Sequence, residues 1–400
     1  MRIGMILDRE FPVDERVEKE AISLIQAGFE IHILCFTFGK LKKFEIYKNI
    51  NIHRVYIPKI WYKKFSALIL IFPFYNWFWW KHINKFIKTE KIDVLHIHDL
   101  PLVGVGIKIK RNFMLPLVVD MHEDYADWIV NTKHYNTFIG KIIKKLSPWK
   151  NYEKKCLQNS DYIIGVSNLL IKKMILEHNL IRSKIVFVPN SPDISLFNNP
   201  TIPSKIKKKF DGKFNLVYAG GIDYLRGLQN VLPKIKELIS EISKIQLIII
   251  GDGSYKSKLI DLTKKLGLER NIIFTGWLQL KELASFLNCA DVGIYPQLKY
   301  KGIEYTLPTK IYQYCAAGIP VISNDHYLPR KVIEDNKCGF IVNFEINDNK
   351  FNETIKYLYE NPKIKAEMGE RGKKMVLKKY NWNNTVEKLI NMYNDIKKYE

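Results

Sequence analysis

The sequence predicts an α/β protein built from two doubly wound domains in tandem. Three observations lead there. The chain has 400 residues, and a single hydrophobic core usually organises about 100–200. Apolar runs of strand length alternate with charged, helix-like segments from end to end, the pattern of parallel strands covered on both faces. Near the middle, Pro189-Asn190-Ser191-Pro192-Asp193, Asn198-Asn199-Pro200 and the lysine run over 205–209 break that rhythm with prolines and polar residues, as linkers do.

The elements of the first half follow in order. Residues 3–7 form an apolar run, and a charged helical stretch over 14–27 ends at Gly28, a common helix stop. Further strand-like runs lie at 30–36, 94–98, 117–120 and 162–166. In the second half, the run over 214–219 closes on Gly220-Gly221, that over 246–250 on Gly251-Asp252-Gly253, and that over 271–274 on Thr275-Gly276. Runs at 292–296 and 320–323 complete the set. The expected division is 1–195, 196–378 and a terminal helix over 379–400 packing back towards the first domain. Ligands of such folds bind at the carboxyl ends of the strands, so the crevice between the domains is the expected site.

Composition excludes several classes. An apolar fraction of 47% and a charged fraction of 26% are ordinary for a globular chain and foreign to disordered or polytopic membrane proteins. The balance of 63 Lys+Arg against 41 Asp+Glu, a net charge of +22, favours phosphate-bearing partners: nucleic acid, anionic lipid or a nucleotide. A nucleic-acid reading finds no helix-turn-helix spacing, zinc knuckle or aromatic RNA-binding signature to support it, so no nucleic-acid partner is expected. The five cysteines are scattered without a C-x-x-C pair, which argues against a disulfide framework or zinc site and for a reducing compartment. No signal-peptide pattern opens the chain, so a cytoplasmic location is expected.

Residues 59–90 stand apart. Lys59, Lys63 and Lys64 precede an apolar, aromatic run over 67–80, and Lys81, Lys85 and Lys88 follow it. The run is shorter than the ~20 residues a span needs and contains Pro73 and Asn76. Aromatics flanked by lysines suit the interface of an anionic membrane, which would make the protein peripheral at the inner face of the cell membrane; the competing reading is a buried helix with a basic end. Lys141, Lys144, Lys145, Lys150, Lys154 and Lys155 add a second basic stretch in the same half.

Four features carry candidate chemistry. Gly220-Gly221 and Gly251-Asp252-Gly253 each close a strand and open a helical segment, where glycine permits close backbone approach and exposed N–H groups attract phosphate; taken singly, such a turn is more often just a tight turn. Arg226-Gly227 follows the first of these turns, and an arginine fork there suits a phosphate. In Leu307-Pro308-Thr309-Lys310-Ile311-Tyr312-Gln313, Pro308 pre-sets a helix whose positive end would place Thr309 and Lys310 against an anion. His122, in Asp120-Met121-His122-Glu123, stands at the end of a strand, placed to bond a substrate hydroxyl or to take part in proton transfer.

Taken together and in this order, these features resemble the glycosyltransferases of family 4. The resemblance runs over nearly the whole chain. Its most specific stretch is 307–323, with Ala316-Ala317-Gly318-Ile319-Pro320-Val321-Ile322. Supporting stretches are Val188-Pro189-Asn190 with Asp193 and Phe197, Tyr218-Ala219-Gly220-Gly221 with Arg226-Gly227, Ala290-Asp291-Val292 before Tyr295-Pro296, and Tyr380-Asn381-Trp382. Asp14-Glu15-Arg16-Val17, His98-Asp99-Leu100 and Asp120 to Glu123 resemble one subgroup.

The resemblance implies a GT-B fold of two facing Rossmann-like domains and a retaining transfer from a nucleotide-diphosphate sugar, UDP more frequently than GDP, without metal or other cofactor. The acceptor would be a lipid-linked or growing glycan in cell-surface polysaccharide or glycolipid synthesis. His122, Arg226 and Lys310 take the catalytic positions. Gly220, Gly221, Gly227, Asp252, Gly253, Glu304, Tyr305, Thr309 and Gln313 take the donor-binding ones. Asp14, Arg16 and Asp99 are the candidate acceptor contacts, at strand ends. Two departures stand out: the family's pair of glutamates falls on Tyr305, with Glu304 beside it, and on Gln313, and Gly221 replaces the usual basic residue. A non-catalytic paralogue or scaffold in a glycan-assembly complex is the alternative. An epimerase or a phosphorylase is a further one, the latter lacking any motif for a pyridoxal phosphate lysine.

Overall fold

A computed structural model describes residues 1–12, 14–65, 70, 73–131, 146–197, 200–300, 303–305, 308–345 and 347–398. The chain divides into two compact units. The first holds Met1–Pro189, the short turn Ile303–Tyr305 and the end of the chain from Thr385; the second holds Asn190–Tyr300 and Leu307–Asn384. The division differs from an uninterrupted 196–378 domain: the second unit runs from Asn190 to Asn384, the turn at 303–305 belongs with the first unit, and the final helix, Trp382–Lys398, straddles the boundary. Residues 66–69 and 71–72 of the aromatic segment, and Lys141, Lys144 and Lys145, lie outside the described residues.

The first unit is built on an eight-stranded sheet. Its strands are β1 (Arg2–Ile6), β2 (Glu30–Thr37), β3 (Phe44–Tyr47), β4 (Ile50–Tyr56), β5 (Val94–His98), β6 (Leu117–Met121), β7 (Tyr162–Gly165) and β8 (Ile185–Phe187). Their spatial order is β3-β4-β2-β1-β5-β6-β7-β8, all parallel except β3. The order reverses direction between β1 and β5, which makes the carboxyl ends of those strands the ligand-binding switch point of such a sheet. β3 and β4 had no clear signal in the sequence. They form an edge hairpin turned by Lys48 and Asn49, both at positive φ (50° and 65°), and β3 alternates exposed and half-buried residues rather than forming an apolar run.

The second unit contains β9 (Phe214–Ala219), β10 (Ile245–Ile250), β11 (Ile272–Gly276), β12 (Val292–Tyr295), β13 (Val321–Ser323) and β14 (Gly339–Ile341). They pair in parallel in the order β11-β10-β9-β12-β13-β14, the dinucleotide-fold order with its switch point between β9 and β12. Successive residues of a strand face opposite sides, and the core divides accordingly. Val217 and Ala219 of β9 join Ile248 and Ile250 of β10 in one buried cluster. Leu216 and Tyr218 join Leu247 and Ile249 in the other. Two buried faces explain why these strands read as continuous apolar runs.

The aromatic segment becomes helix Pro73–Glu90. Tyr75, Trp79, Ile83, Phe86 and Ile87 recur at helical spacing and are buried against Ile6, Leu34 and Leu95 of the sheet. Phe74 and Trp77 on the other side are exposed, as are Ile60 and Trp61 on the preceding helix, Lys59–Phe65. Among the described residues no helix is long and apolar enough to cross a membrane. The five cysteines are all free.

Candidate active site

At the switch point of the first unit, three strand ends converge on one polar cluster. β1 runs into Leu7, Asp8 and Arg9; β5 runs into Asp99, at φ 66°; β6 runs into His122. Asp14 caps helix Glu15–Gln26, accepting from the backbone N–H groups of Arg16 and Val17 at 3.1 and 3.2 Å. Arg9 bridges Asp14, at 2.8 Å, and Asp99. His122 Nε2 lies 3.0 Å from Asp120 Oδ2 and its Nδ1 3.6 Å from Asp99 Oδ1. Burial opposes protonation of His122, but the carboxylates of Asp99 and Asp120 prevail and raise its pKa to about 9. It is therefore an imidazolium at neutral pH, a hydrogen-bond donor rather than a base. That leaves the hydroxyl-binding role open and disfavours proton abstraction.

Arg16 does not sit where an acceptor would touch it, contrary to its sequence assignment. It is buried, and its guanidinium donates to both oxygens of Asp120 (2.9 and 3.0 Å) and to the Val188 carbonyl (3.0 Å), while pairing with Glu20 at 3.0 Å. The reason is its position as the second residue of the helix, where its side chain is buried against Asp120 of β6. Burial raises the Glu20 carboxyl to about 8, so it is protonated at neutral pH, whereas Arg16 and His122 hold Asp120 well below the carboxylate range against its own burial. Beneath lie His98, 3.5 Å from Asp120 Oδ2, and His96, which meets the Tyr393 hydroxyl of the final helix at 2.8 Å. Burial keeps both imidazoles neutral. Counting Arg9, Arg16 and His122 against Asp14, Asp99 and Asp120, the cluster is balanced in charge, which is what a buried ionic network requires. Asp8 adds a group poised near neutrality: burial lifts it to about 7 against the hydrogen bond from Tyr75 of the aromatic helix. The sequence reading missed Arg9 and Asp8. The only available signal was their place directly after the first strand.

The second unit brings together most of the expected donor-binding residues. Gly220 has φ 145°, and a Cβ there would lie 1.9 Å from Lys310 Cε, so only glycine lets the Lys310 stem cross the end of β9. Lys310 is the second residue of helix Thr309–Ala316, which starts after Pro308 and buries Gln313 one turn on. The two glycine turns are zipped side by side: Ile222 N–H donates to the Asp252 carbonyl at 2.9 Å and Tyr255 N–H to the Ile222 carbonyl at 3.0 Å. Asp252 itself is occupied by Gly253 N–H and Lys256. Gly221 has no atom within 4 Å of a would-be Cβ, so its backbone faces open space.

Arg226 stands at the end of β12. Its Nη1 donates to Gln297 Oε1 at 2.9 Å and its Nε to Asp223 at 3.1 Å. Gln297 in turn donates to the Leu225 carbonyl (2.9 Å), and its own carbonyl meets Asn324 Nδ2 (3.0 Å) and His326 Nε2 (2.8 Å). Gly227, at φ 73°, is pressed against the Pro296 carbonyl, 1.9 Å from a would-be Cβ. Gln297, Asn324 and His326 are therefore the residues that hold Arg226's loop, and no motif announced them.

Glu304 and Tyr305 depart from expectation. They fall within the expected 196–378 domain, but their turn belongs with the first unit. There the Tyr305 carbonyl accepts from Ser167 and its ring lies 4.4 Å from Lys173 Nζ.

Comparison with known proteins identifies the family. The profile of the family described as "Glycosyltransferase Family 4" matches residues 16–196, and that of "Glycosyl transferases group 1" matches residues 201–375. The chain is 24% identical over 357 residues to the alpha-monoglucosyldiacylglycerol synthase of Streptococcus pneumoniae, covering 85% of this chain and 74% of that protein. In structure it is similar to sucrose-phosphate synthase from Thermosynechococcus elongatus (TM-score 0.78, 15% identity, all of both chains). It is also similar to HepE from Anabaena in complex with UDP-glucose (TM-score 0.71, 13% identity, 99% of this chain and 100% of that one). With a family 4 domain in its first unit and a group 1 domain in its second, on the GT-B fold, the chain belongs to the family 4 glycosyltransferases.

Proposed function

We propose that this glycosyltransferase moves a sugar, with retention of anomeric configuration, from a nucleotide-diphosphate sugar to a lipid-linked or growing glycan acceptor. The observation that carries the donor half is the pair of cations at neighbouring strand ends of the second unit: Lys310 laid over Gly220, and Arg226 fixed by Gln297 and Asp223. The bond that breaks joins the anomeric carbon to a diphosphate oxygen, so negative charge grows on the leaving group. Two cations with backbone N–H groups beside them stabilise that charge without needing to move. The acceptor oxygen forms the new bond on the face the diphosphate leaves, and its proton goes to the departing diphosphate. No enzyme nucleophile is required. His122, held as an imidazolium, donates to a sugar hydroxyl. The reading includes no requirement for metal. UDP is the favoured nucleotide, in line with the UDP-glucose complex of the Anabaena neighbour.

A membrane-associated acceptor is favoured by the exposed Trp61, Phe74 and Trp77 beside Lys59 and Lys81, and by the glycolipid synthase among the relatives. On this reading the protein works peripherally at the inner face of the cell membrane. The test is a transfer assay with UDP- and GDP-sugars and a lipid acceptor extract, with chelator and with Mg²⁺. Sugar incorporation into lipid, indifferent to chelator, is the expected result. Hydrolysis alone, or turnover only with metal, would overturn the reading.

A further inference from the structure

A second cluster of ligating side chains lies in the first unit, towards the amino-terminal ends of its strands and away from those carrying His122. His32 of β2, opposite Gly4 of β1, and His53 of β4, opposite Leu34, stack at 5.8 Å between ring centres. Glu90, the last residue of helix Pro73–Glu90, reaches both: its Oε2 is 3.4 Å from His32 Nδ1 and 3.8 Å from His53 Nε2. All three donor atoms lie within 4.8 Å of one another. We propose that His32 Nδ1, His53 Nε2 and a Glu90 oxygen bind one tetrahedral divalent transition-metal ion of the zinc class, with water in the fourth position.

Four observations carry this. First, the imidazole donor atoms are uncommitted: neither His32 Nδ1 nor His53 Nε2 has a hydrogen-bond partner, although His32 is only 4% exposed. A buried lone pair without a donor is costly, and a cation relieves that cost. Second, the spacing fits. Zinc ligands about 2.0–2.1 Å from the metal stand roughly 3.4 Å apart in a tetrahedron, so small side-chain shifts close the site. Third, an outer support is already built. His32 Nε2 donates to Glu30 Oε1 at 2.8 Å, and Glu30 is held by Arg2 Nε at 3.0 Å. That carboxylate–histidine pair fixes the tautomer that leaves Nδ1 free for a metal. Fourth, Phe86 and Phe44 pack on the His53 ring at 5.3 and 5.1 Å, while His53 and Glu90 side chains keep 22% and 21% exposure, leaving an access path. Imidazole and carboxylate donors select zinc and its neighbours over calcium or magnesium. The ion would tie the end of the aromatic helix to two strands. It would be structural, and separate from any metal question in the transfer reaction.

The test uses the full chain, stripped with chelator and titrated at neutral pH with Zn²⁺ and with Co²⁺. One equivalent of Zn²⁺ should bind with micromolar or tighter affinity and raise the melting temperature, and Co²⁺ should give the intense visible bands of a tetrahedral complex. His53→Ala and Glu90→Gln should each weaken binding at least tenfold, and Glu30→Gln by roughly 10–100-fold through the outer support. His82→Ala, on the same helix but outside the site, should change nothing. A folded protein with no saturable Zn²⁺ binding, or binding unaltered in both His53→Ala and Glu90→Gln, would overturn the proposal.

Discussion

His122 shows how a single residue acquires its properties from the strands around it. An isolated histidine is mostly neutral at pH 7, yet Asp99 from one strand end and Asp120 two residues before it stabilise the charged form to about pH 9. Its folded-state pKa is raised, so the stability it contributes is complete below about pH 6.5 and is lost as pH rises through 9. An NMR titration of the His122 ring should find it protonated at pH 7.5, and Asp99→Asn should lower its midpoint. A ring that titrates near its ordinary value in the wild type would remove the imidazolium from the mechanism. Arg16 acts differently. It is enclosed with Asp120 and Glu20, so Arg16→Ala should cost about 3–5 kcal/mol of stability by leaving a buried carboxylate uncompensated. Chemical denaturation checks this, and a variant of wild-type stability with a changed acceptor affinity would restore the acceptor-contact role. Gly220→Ala should displace Lys310 and weaken nucleotide binding, because a Cβ there meets the Lys310 stem and a φ of 145° disfavours any other residue.

At the scale of elements, helix Pro73–Glu90 does two jobs on two faces. Its buried face completes the core, and its Tyr75 bonds Asp8 at the strand-end cluster. Its other side offers Phe74 and Trp77 with Lys81, whose ammonium lies 5.8 Å from the Trp77 ring. The segment is therefore a core helix, as one reading of the sequence expects, and it also carries an exposed aromatic, basic side. Vesicle co-sedimentation should show binding to anionic liposomes that falls on Lys81, Lys85 and Lys88 neutralisation and on Trp77→Ser. Equal binding by these variants and the wild type would eliminate this face as the membrane contact. Strands buried on both faces, such as β9 and β10, were legible because two-sided burial demands unbroken apolar runs. The β3–β4 hairpin was not, because an edge strand alternates and its turn uses Lys48 and Asn49 instead of glycine. The short strands β8 and β14 left no clear pattern, most of their residues being only partly buried.

At the scale of the whole molecule, two Rossmann-like units were readable from the alternation of elements and from the glycines after β9 and β10. The candidate donor-binding residues were readable as candidates because phosphate chemistry uses few side-chain types, and these stood at strand ends. The supporting residues were not. Gln297 holds Arg226 through its side-chain oxygen, while Asn324 and His326 hold Gln297 through its backbone carbonyl, contacts that no sequence pattern exposes, and the ion-pair network under His122 draws partners from residues 9 to 120. The turn carrying Glu304 and Tyr305 joined the first unit for the same reason: its ties to Ser167 and Lys173 are tertiary.

The most direct measurement is calorimetric titration of UDP, with chelator present, into the wild type, Lys310→Ala and Arg226→Ala. The wild type should bind UDP more tightly than UMP, because the second phosphate meets the two cations. Each variant should stay folded and lose at least tenfold in UDP affinity, about 1.4 kcal/mol or more, with little change for uridine. UDP and UMP binding equally, or both variants binding UDP as the wild type does, would contradict the assignment of Lys310 and Arg226 to the diphosphate.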